Sequence, residues 1–416
     1  MNNVVIIGLG YVGLPLAAAA SAAGFSVTGL DRSARVVEGL SAGRSHIDDL
    51  GDEDVKHMLE NGFVATNDET VLETADTVVI CVPTPLTLDG SPDLGAVRSA
   101  SEAAASRLQR GALVVLESTT FPGTTEDVLL PMFAGRGDVG VDFYLAFSPE
   151  RVDPGNEQFT ITNTPKVVGG LTPACSGKAE EFYSRFIDTV VVAKGAREAE
   201  TAKLLENTYR HINIALVNEM ARVCHEMDID VWDVIRCAST KPFGFQAFYP
   251  GPGVGGHCIP IDPNYLSYAV KSRLGYPLRF VELAQEINST MPSYVFRRVQ
   301  DLLNDQGKAV RGSRVLLVGV TYKPNIADQR ESPAVDVYAH MTAAGAEVVY
   351  FDPMVDDWAP ARVSVPKHRD IGDVTDVDAV VVLQHHEGVD LSAMLASGAT
   401  ILDTRGKIDG PSVVRL

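Results

Sequence analysis

Residues 4–13 read Val4-Val5-Ile6-Ile7-Gly8-Leu9-Gly10-Tyr11-Val12-Gly13, and the architecture follows from them. The β-branched run predicts a short buried strand. The alanine-rich run 12–23 predicts a helix directly after it. Between strand and helix lies a G-x-G-x-x-G turn. Gly8 permits the tight turn, Gly10 lets a pyrophosphate approach the backbone, and Gly13 lets the helix pack on the strand. The phosphates would sit at the helix N-terminus, beside Tyr11 and Val12. Ser26–Leu30 reads as the next strand and ends at Asp31, where a carboxylate bonds a ribose hydroxyl. That charge repels a 2′-phosphate, so NAD is the expected cofactor. Arg32, the next residue, is the one group that speaks for NADP. The competing reading is a strand–helix turn that holds no ligand.

Outward from this turn, strands are expected at 77–81, 112–116 and 143–147, with helices near 94–107 and 123–134. Such alternation implies a parallel sheet with helices on both faces, which also explains the continuously apolar strands. Residues 197–305 read as helical. Ala202, Leu205, Tyr209, Ile212, Leu216 and Met220 recur at helical spacing and are read as core, and a long helix is expected over 278–303. Residues 312–416 return to strand–helix alternation, with strands at Arg314–Gly319, Glu347–Phe351, Ala379–Leu383 and Thr400–Leu402 and a helix over 332–344. The expected fold is α/β: two Rossmann-like, doubly wound parallel-sheet domains joined by a central helical segment. The boundaries are 1–196, 197–308 and 309–416.

Composition narrows the function. A chain of 416 residues is too long for one core. Its net charge of −19 argues against nucleic acid or an anionic membrane as partner. No apolar run approaches the roughly 20 residues that span a bilayer. The chain opens on a strand without a basic segment or cleavage site, so no signal peptide is expected. Five scattered cysteines without C-x-x-C spacing suggest neither disulfides nor zinc, and a cytoplasmic location is expected.

The candidate chemistry lies in loops and on one helix. Thr84 and Thr119 follow predicted strand ends, where ligands of such sheets bind, though either residue is equally an ordinary helix cap. Glu117 and Ser118 make the Thr119 loop polar throughout. Lys203 and Asn207 share one helix face with Glu200 and Arg210. An ammonium and an amide there can hold an oxyanion. Glu150, in Ser148-Pro149-Glu150-Arg151, and Asp262 are candidate bases or water-orienting groups. Cys258 ends the run Gly251-Pro252-Gly253-Val254-Gly255-Gly256-His257, and Pro260 and Pro263 follow. Those prolines place Cys258 at or just before a helix N-terminus, which favours a thiolate. A lone loop cysteine is more often structural, and the rest of the chain reverses those odds. A nucleophile beside hydride-transfer machinery makes sense where an aldehyde must be oxidised further.

These residues together resemble the nucleotide-sugar 6-dehydrogenase family, over essentially the whole chain. The resemblance rests on the Gly8–Gly13 turn, Ser148-Pro149-Glu150-Arg151, Lys203 with Asn207, the Cys258 loop, and Tyr322-Lys323 with Arg330-Glu331-Ser332. It implies an N-terminal NAD domain, a central helical dimer core and a C-terminal nucleotide-binding domain. It further implies a four-electron oxidation of a sugar C6 alcohol. Cys258 would carry a thiohemiacetal and then a thioester, which water hydrolyses with Glu150 as base. Lys203, Asn207, Asp262 and Thr119 would stabilise oxyanions or a shared water. Arg330 would contact cofactor phosphates. Lys323, Arg151, Arg210, Tyr249 and Gly255 would contact the sugar nucleotide. The pattern from Phe243 to Gly251, with His257 and Ile261 around the cysteine, resembles the branch acting on UDP-N-acetylglucosamine or UDP-N-acetylmannosamine. UDP-glucose and dTDP-glucose are the alternatives. A β-hydroxyacid dehydrogenase, with one hydride transfer, and a catalytically silent nucleotide-sugar sensor are the competing readings. A homodimer or larger homo-oligomer is expected.

Overall fold

The computed structural model describes residues 2–416 apart from 48–49, 88–89, 153–155, 157 and 257–258. The chain forms two compact units. Met1–Glu206 with Asn264–Tyr276 make the first; Asn207–Pro263 with Pro277–Leu416 make the second.

In the first unit the strands are β1 (Asn3–Ile7), β2 (Ser26–Leu30), β3 (Val64–Thr66), β4 (Thr77–Ile80), β5 (Leu113–Leu116), β6 (Tyr144–Phe147), β7 (Lys166–Gly170) and β8 (Val190–Val192). Among the described residues they form one eight-stranded sheet in the order β3-β2-β1-β4-β5-β6-β7-β8. The order reverses direction at β1, between β2 and β4, which opens a crevice at the strand ends. The neighbours from β3 to β6 are parallel, with Ile7 opposite Leu30 and Ile80. At β7 the sheet departs from the expected parallel pattern: Ala146 pairs antiparallel with Gly170. Among the described residues no helix lies between β6 and β7, so no right-handed crossover forces the parallel sense. The helices are α1 (Gly13–Ala22), α2 (Ala34–Ser41), α3 (Asp52–Glu60), α4 (Gly95–Arg107) and α5 (Pro173–Tyr183). Val4, Ile6, Leu14, Ala17, Val79 and Val115 are fully buried at the centre of this core. The helix expected over 123–134 is instead a wide turn at Thr125–Leu129 and a tight one at Leu130–Phe133. Pro131 lacks the N–H that a regular helix needs there.

Helix α6 (Ala196–Glu226) begins in the first unit and ends in the second. It corrects the sequence reading. Leu205, Tyr209, Leu216 and Met220, expected as core, are exposed at 64%, 45%, 53% and 39%. Its buried face mixes small and apolar residues (Ala199, Leu204, Ala215, Val217, Ala221) with polar ones, Glu200, Asn207, Thr208, His211 and Asn218 being under 9% exposed.

α7 (Val231–Ala238), α8 (Asp262–Leu274), α9 (Arg279–Ser289) and α10 (Met291–Asp305) follow. The long helix expected over 278–303 is thus divided at Thr290, because Pro292 enters the first turn of α10. In the second unit β9 (Arg314–Val318), β10 (Glu347–Phe351), β11 (Ala379–Val382), β12 (Thr400–Asp403) and β13 (Val413–Arg415) form an all-parallel sheet, ordered β10-β9-β11-β12-β13, with α11 (Pro333–Ala343) packed on it. Both sheets therefore have the α/β character read from the sequence. Trp358, Tyr350, Val315, Leu317 and Val381 fill the core beneath the second.

Candidate active site

The β1–α1 turn meets the steric demands of its glycines. Gly8 adopts φ +92°, and a Cβ there would lie 2.6 Å from the Cys81 carbonyl oxygen. A Cβ on Gly13 would lie 1.9 Å from the Gly8 carbonyl oxygen, so any side chain would push α1 off the sheet. Gly10 differs: a Cβ would meet nothing within 4 Å. Open space above Gly10 is where a pyrophosphate needs to come close. Tyr11 and Val12 are half-buried beside it. α1 has neither a side-chain cap nor an acidic residue in its first turn, so no carboxylate of its own competes with an anion at its N-terminus, although Leu14 N and Leu16 N already donate to Gly10 O and Val12 O at 3.1 and 3.3 Å. Asp31 bridges the turn and the chain beyond β2, accepting from Leu9 N and Ser33 N, both at 2.9 Å. Each of its oxygens keeps a lone pair for a ribose hydroxyl. Arg32 is exposed. These residues fit NAD.

Two further loops leave the same sheet. The Thr84 carbonyl accepts from Tyr265 Oη at 2.9 Å. Thr119 is half-buried beside Ser118, whose hydroxyl donates to Val82 O at 2.7 Å. Glu117 departs from the sequence reading. It does not make the loop polar but is 1% exposed, turned under the sheet to Lys166 at 2.9 Å and to the Tyr183 hydroxyl. Glu150 Oε1 accepts from Val152 N at 2.5 Å, and its Oε2 lies 3.5 Å from Lys166 Nζ. Burial alone would raise the Glu150 carboxyl; Lys166, the Val152 amide and Lys203 outweigh it and hold the group below the usual range. Lys203 donates its ammonium to the Glu150 carbonyl. Arg151 is taken up by Glu206 at 2.8 Å and Pro165 O at 2.8 Å.

In the second unit Asn207 Nδ2 donates to Asp262 Oδ2 at 2.5 Å, with the two residues 6% and 3% exposed. Asp262 is the first residue of α8, so the expected helix start lies four residues past Cys258. Cys258 and His257 themselves lie outside the described residues. The glycines before them are tightly enclosed. A Cβ on Gly255 would lie 2.6 Å from Glu331 O, and one on Gly256 2.6 Å from the Tyr322 ring. The Gly256 amide donates to Arg330 O at 3.3 Å. The tyrosine and arginine motifs of the third segment thus wall the glycine loop. Lys323 is half-buried. The Arg330 guanidinium is engaged by Asp328 at 2.9 Å. Arg210 is exposed, and Tyr249 is 57% exposed and stacked on Trp232 at 6.0 Å.

Three groups escape a reading by motif. Lys166 is buried, with no sequence signal beyond a charge opening an apolar strand. Asn218 accepts from Gly251 N at 3.0 Å and donates to Asn288 at 2.9 Å, tying the glycine loop to α6 and α9. Arg405 lies against Gly251, where a Cβ would be 2.9 Å from its guanidinium, and donates to Leu383 O at 2.7 Å. Burial lowers it to about 10, partly offset by Asp403. The rule that ligands gather at strand ends points to Arg405, two residues beyond β12. Among the described residues no three His, Cys, Asp or Glu side chains gather as a metal site, and no helix is long and apolar enough to cross a membrane.

Comparison with known proteins agrees with this layout. Residues 2–187 match the NAD binding domain of the UDP-glucose/GDP-mannose dehydrogenase family, 197–290 its central domain and 316–410 its UDP binding domain. A UDP-N-acetyl-D-mannosamine dehydrogenase of Yersinia pestis is 35% identical over 93% of this chain and 94% of its own. A solved UDP-N-acetylmannosamine dehydrogenase of Pyrococcus horikoshii superposes with TM-score 0.89 at 32% identity, covering 98% of this chain and 96% of that one. A UDP-glucose dehydrogenase structure from Pyrobaculum islandicum gives TM-score 0.86 at 28% identity, covering 100% and 97%. The chain belongs to the UDP-glucose/GDP-mannose dehydrogenase family and is an NAD-dependent nucleotide-sugar dehydrogenase.

Proposed function

We propose that this enzyme oxidises the C6 hydroxyl of a UDP-N-acetylhexosamine, UDP-N-acetylmannosamine foremost, to the carboxylate. The observation that carries this reading is the buried Asn207–Asp262 hydrogen bond, set four residues past Cys258. An amide and a carboxylate locked together there are placed for oxyanion and water chemistry. The choice of sugar draws on the pattern around Cys258 and on relatives that carry that name at 35% and 32% identity.

Tyr11, Val12, Asp31, Arg32, Thr84 and Thr119, around the Gly8–Gly13 turn, would hold NAD, and two NAD in succession would each supply an acceptor for one hydride. The alcohol loses a hydride and a proton to become an aldehyde. The Cys258 thiolate adds to the aldehyde carbon, and the alkoxide is protonated to a thiohemiacetal. Loss of a second hydride and the hydroxyl proton leaves a thioester. Water, deprotonated by Glu150, adds to that carbon and the thiolate leaves. Lys203, Asn207, Asp262 and Thr119 hold the developing oxyanion or the water. Arg151, Arg210, Tyr249, Gly255, Lys323 and Arg405 contact the sugar nucleotide, and Arg330 the cofactor phosphates. In this reading residues 1–196 hold the cofactor, 197–308 associate and 309–416 hold the nucleotide. The enzyme works in the cytoplasm, in keeping with unpaired thiols at Cys81, Cys175, Cys224 and Cys237.

The test is stoichiometric, on a panel of UDP-, dTDP- and GDP-sugars. Two NADH per UDP-N-acetylmannosamine and a uronic acid product are expected. One NADH per sugar, with the aldehyde as product, would refute the four-electron reading.

A further inference from the structure

At the strand ends of the first unit, four ionisable side chains form a buried chain, Tyr183–Glu117–Lys166–Glu150. Lys166 opens β7 and is 4% exposed. Its ammonium lies 2.9 Å from Glu117 Oε2 and 3.5 Å from Glu150 Oε2. The Tyr183 hydroxyl, from α5, closes the far side by donating to Glu117 Oε1. Two carboxylates and one ammonium leave a net negative charge out of water. Such a group is costly unless each member is held by another.

The arrangement is unequal. Glu117 accepts hydrogen bonds from Lys166 and Tyr183, and burial, with the neighbouring Glu150 charge, pushes its carboxyl up against the pull of Lys166. Glu150 has Lys166, the Val152 amide and the charge of Lys203, and is held down. Burial lowers Lys166, but the two carboxylates more than reverse this and keep it charged. The charged and titratable groups facing Glu150 are Lys166 from β7, Glu117 from the end of β5, Cys81 from the end of β4 and Lys203 from α6. Arg151, next to it, is turned to Glu206. Two carboxyls driven apart by their surroundings divide the roles of proton holder and ionised base.

We infer that Lys166, backed by Glu117 and Tyr183, is a positioning residue that keeps the Glu150 carboxylate ionised and aimed, without itself touching substrate. The inference rests on Glu150 being the hydrolytic base.

The test is the pH profile of kcat for NADH formation with UDP-N-acetylmannosamine. Lys166→Met alone strands Glu117 and is prone to misfold. The charge-balanced double variant Lys166→Met/Glu117→Gln avoids this. Its acid limb should rise by about one to two pH units relative to wild type, from loss of a nearby opposite charge. Glu117→Gln alone should show no rise, and Lys166→Arg should restore low-pH turnover. An unshifted acid limb in the double variant, with or without a uniform loss of kcat, overturns the inference and leaves a structural role. Glu150→Gln separates the two claims: if it turns over like wild type, the reading of Glu150 as base fails instead.

Discussion

Cys258 and His211 illustrate what a single side chain contributes. If the sulfur carries the half-oxidised sugar, Cys258→Ala should form no acid while still binding the nucleotide-sugar. Calorimetric affinity should change little and NADH formation should fall by several orders of magnitude; full turnover would contradict the covalent role. His211 sits on the buried face of α6, 1% exposed, and burial pushes it down from 6.5 to about 4. Its folded pKa is depressed, so the unfolded chain binds the proton more tightly. Stability from this residue is therefore complete above pH 6.5 and drains away as pH falls toward 4, by about 3 kcal/mol in all. His211→Gln should flatten that part of the stability–pH curve, read by urea unfolding at several pH values.

At the scale of elements, buried amides lock the glycine loop. Asn218 on α6 joins Gly251 to Asn288 on α9, and Asn288 donates in turn to His211 O at 3.2 Å. Asn218→Ala takes the acceptor from the buried Gly251 N–H and the donor from the buried Asn288 Oδ1. A loss of about 1–3 kcal/mol is expected, seen as a lower denaturant midpoint at unchanged slope. The two sheets also share a device. Asp31, following β2, binds the amide of Leu9, and Asp352, following β10, binds the amide of Val320 at 2.7 Å. In the second unit His386 approaches the same Asp352 oxygen at 3.2 Å, and a Cβ on Gly319 would strike Gln384 O. The carboxylate proposed to meet a ribose in one sheet thus has its counterpart covered by His386 in the other.

For the whole molecule the telling surface is the apolar side of α6. Leu205, Leu216 and Val223 are 64%, 53% and 43% exposed. An exposed apolar stripe fits the association proposed for residues 197–308. Leu216→Glu should shift the protein toward monomer in sedimentation equilibrium with its circular dichroism unchanged; unaltered mass would exclude this face. The sequence alone determined the cofactor turn and the central parallel strands of both sheets, but not the flanking strands β3, β7, β8 and β13 or the antiparallel turn at β7. The cofactor turn and central strands depend on local steric rules, such as Gly13 beside the Gly8 carbonyl, and on apolar runs such as Val4–Ile7 and Val78–Ile80. Periodicity did reveal the α6 stripe, but not whether it faces core or solvent. Likewise charge could be counted in the sequence, yet not the burial of Glu117, Lys166, Asn218 or Arg405. Only tertiary structure decides those, because which face of a helix is covered, and which charges meet out of water, depends on segments distant in the chain.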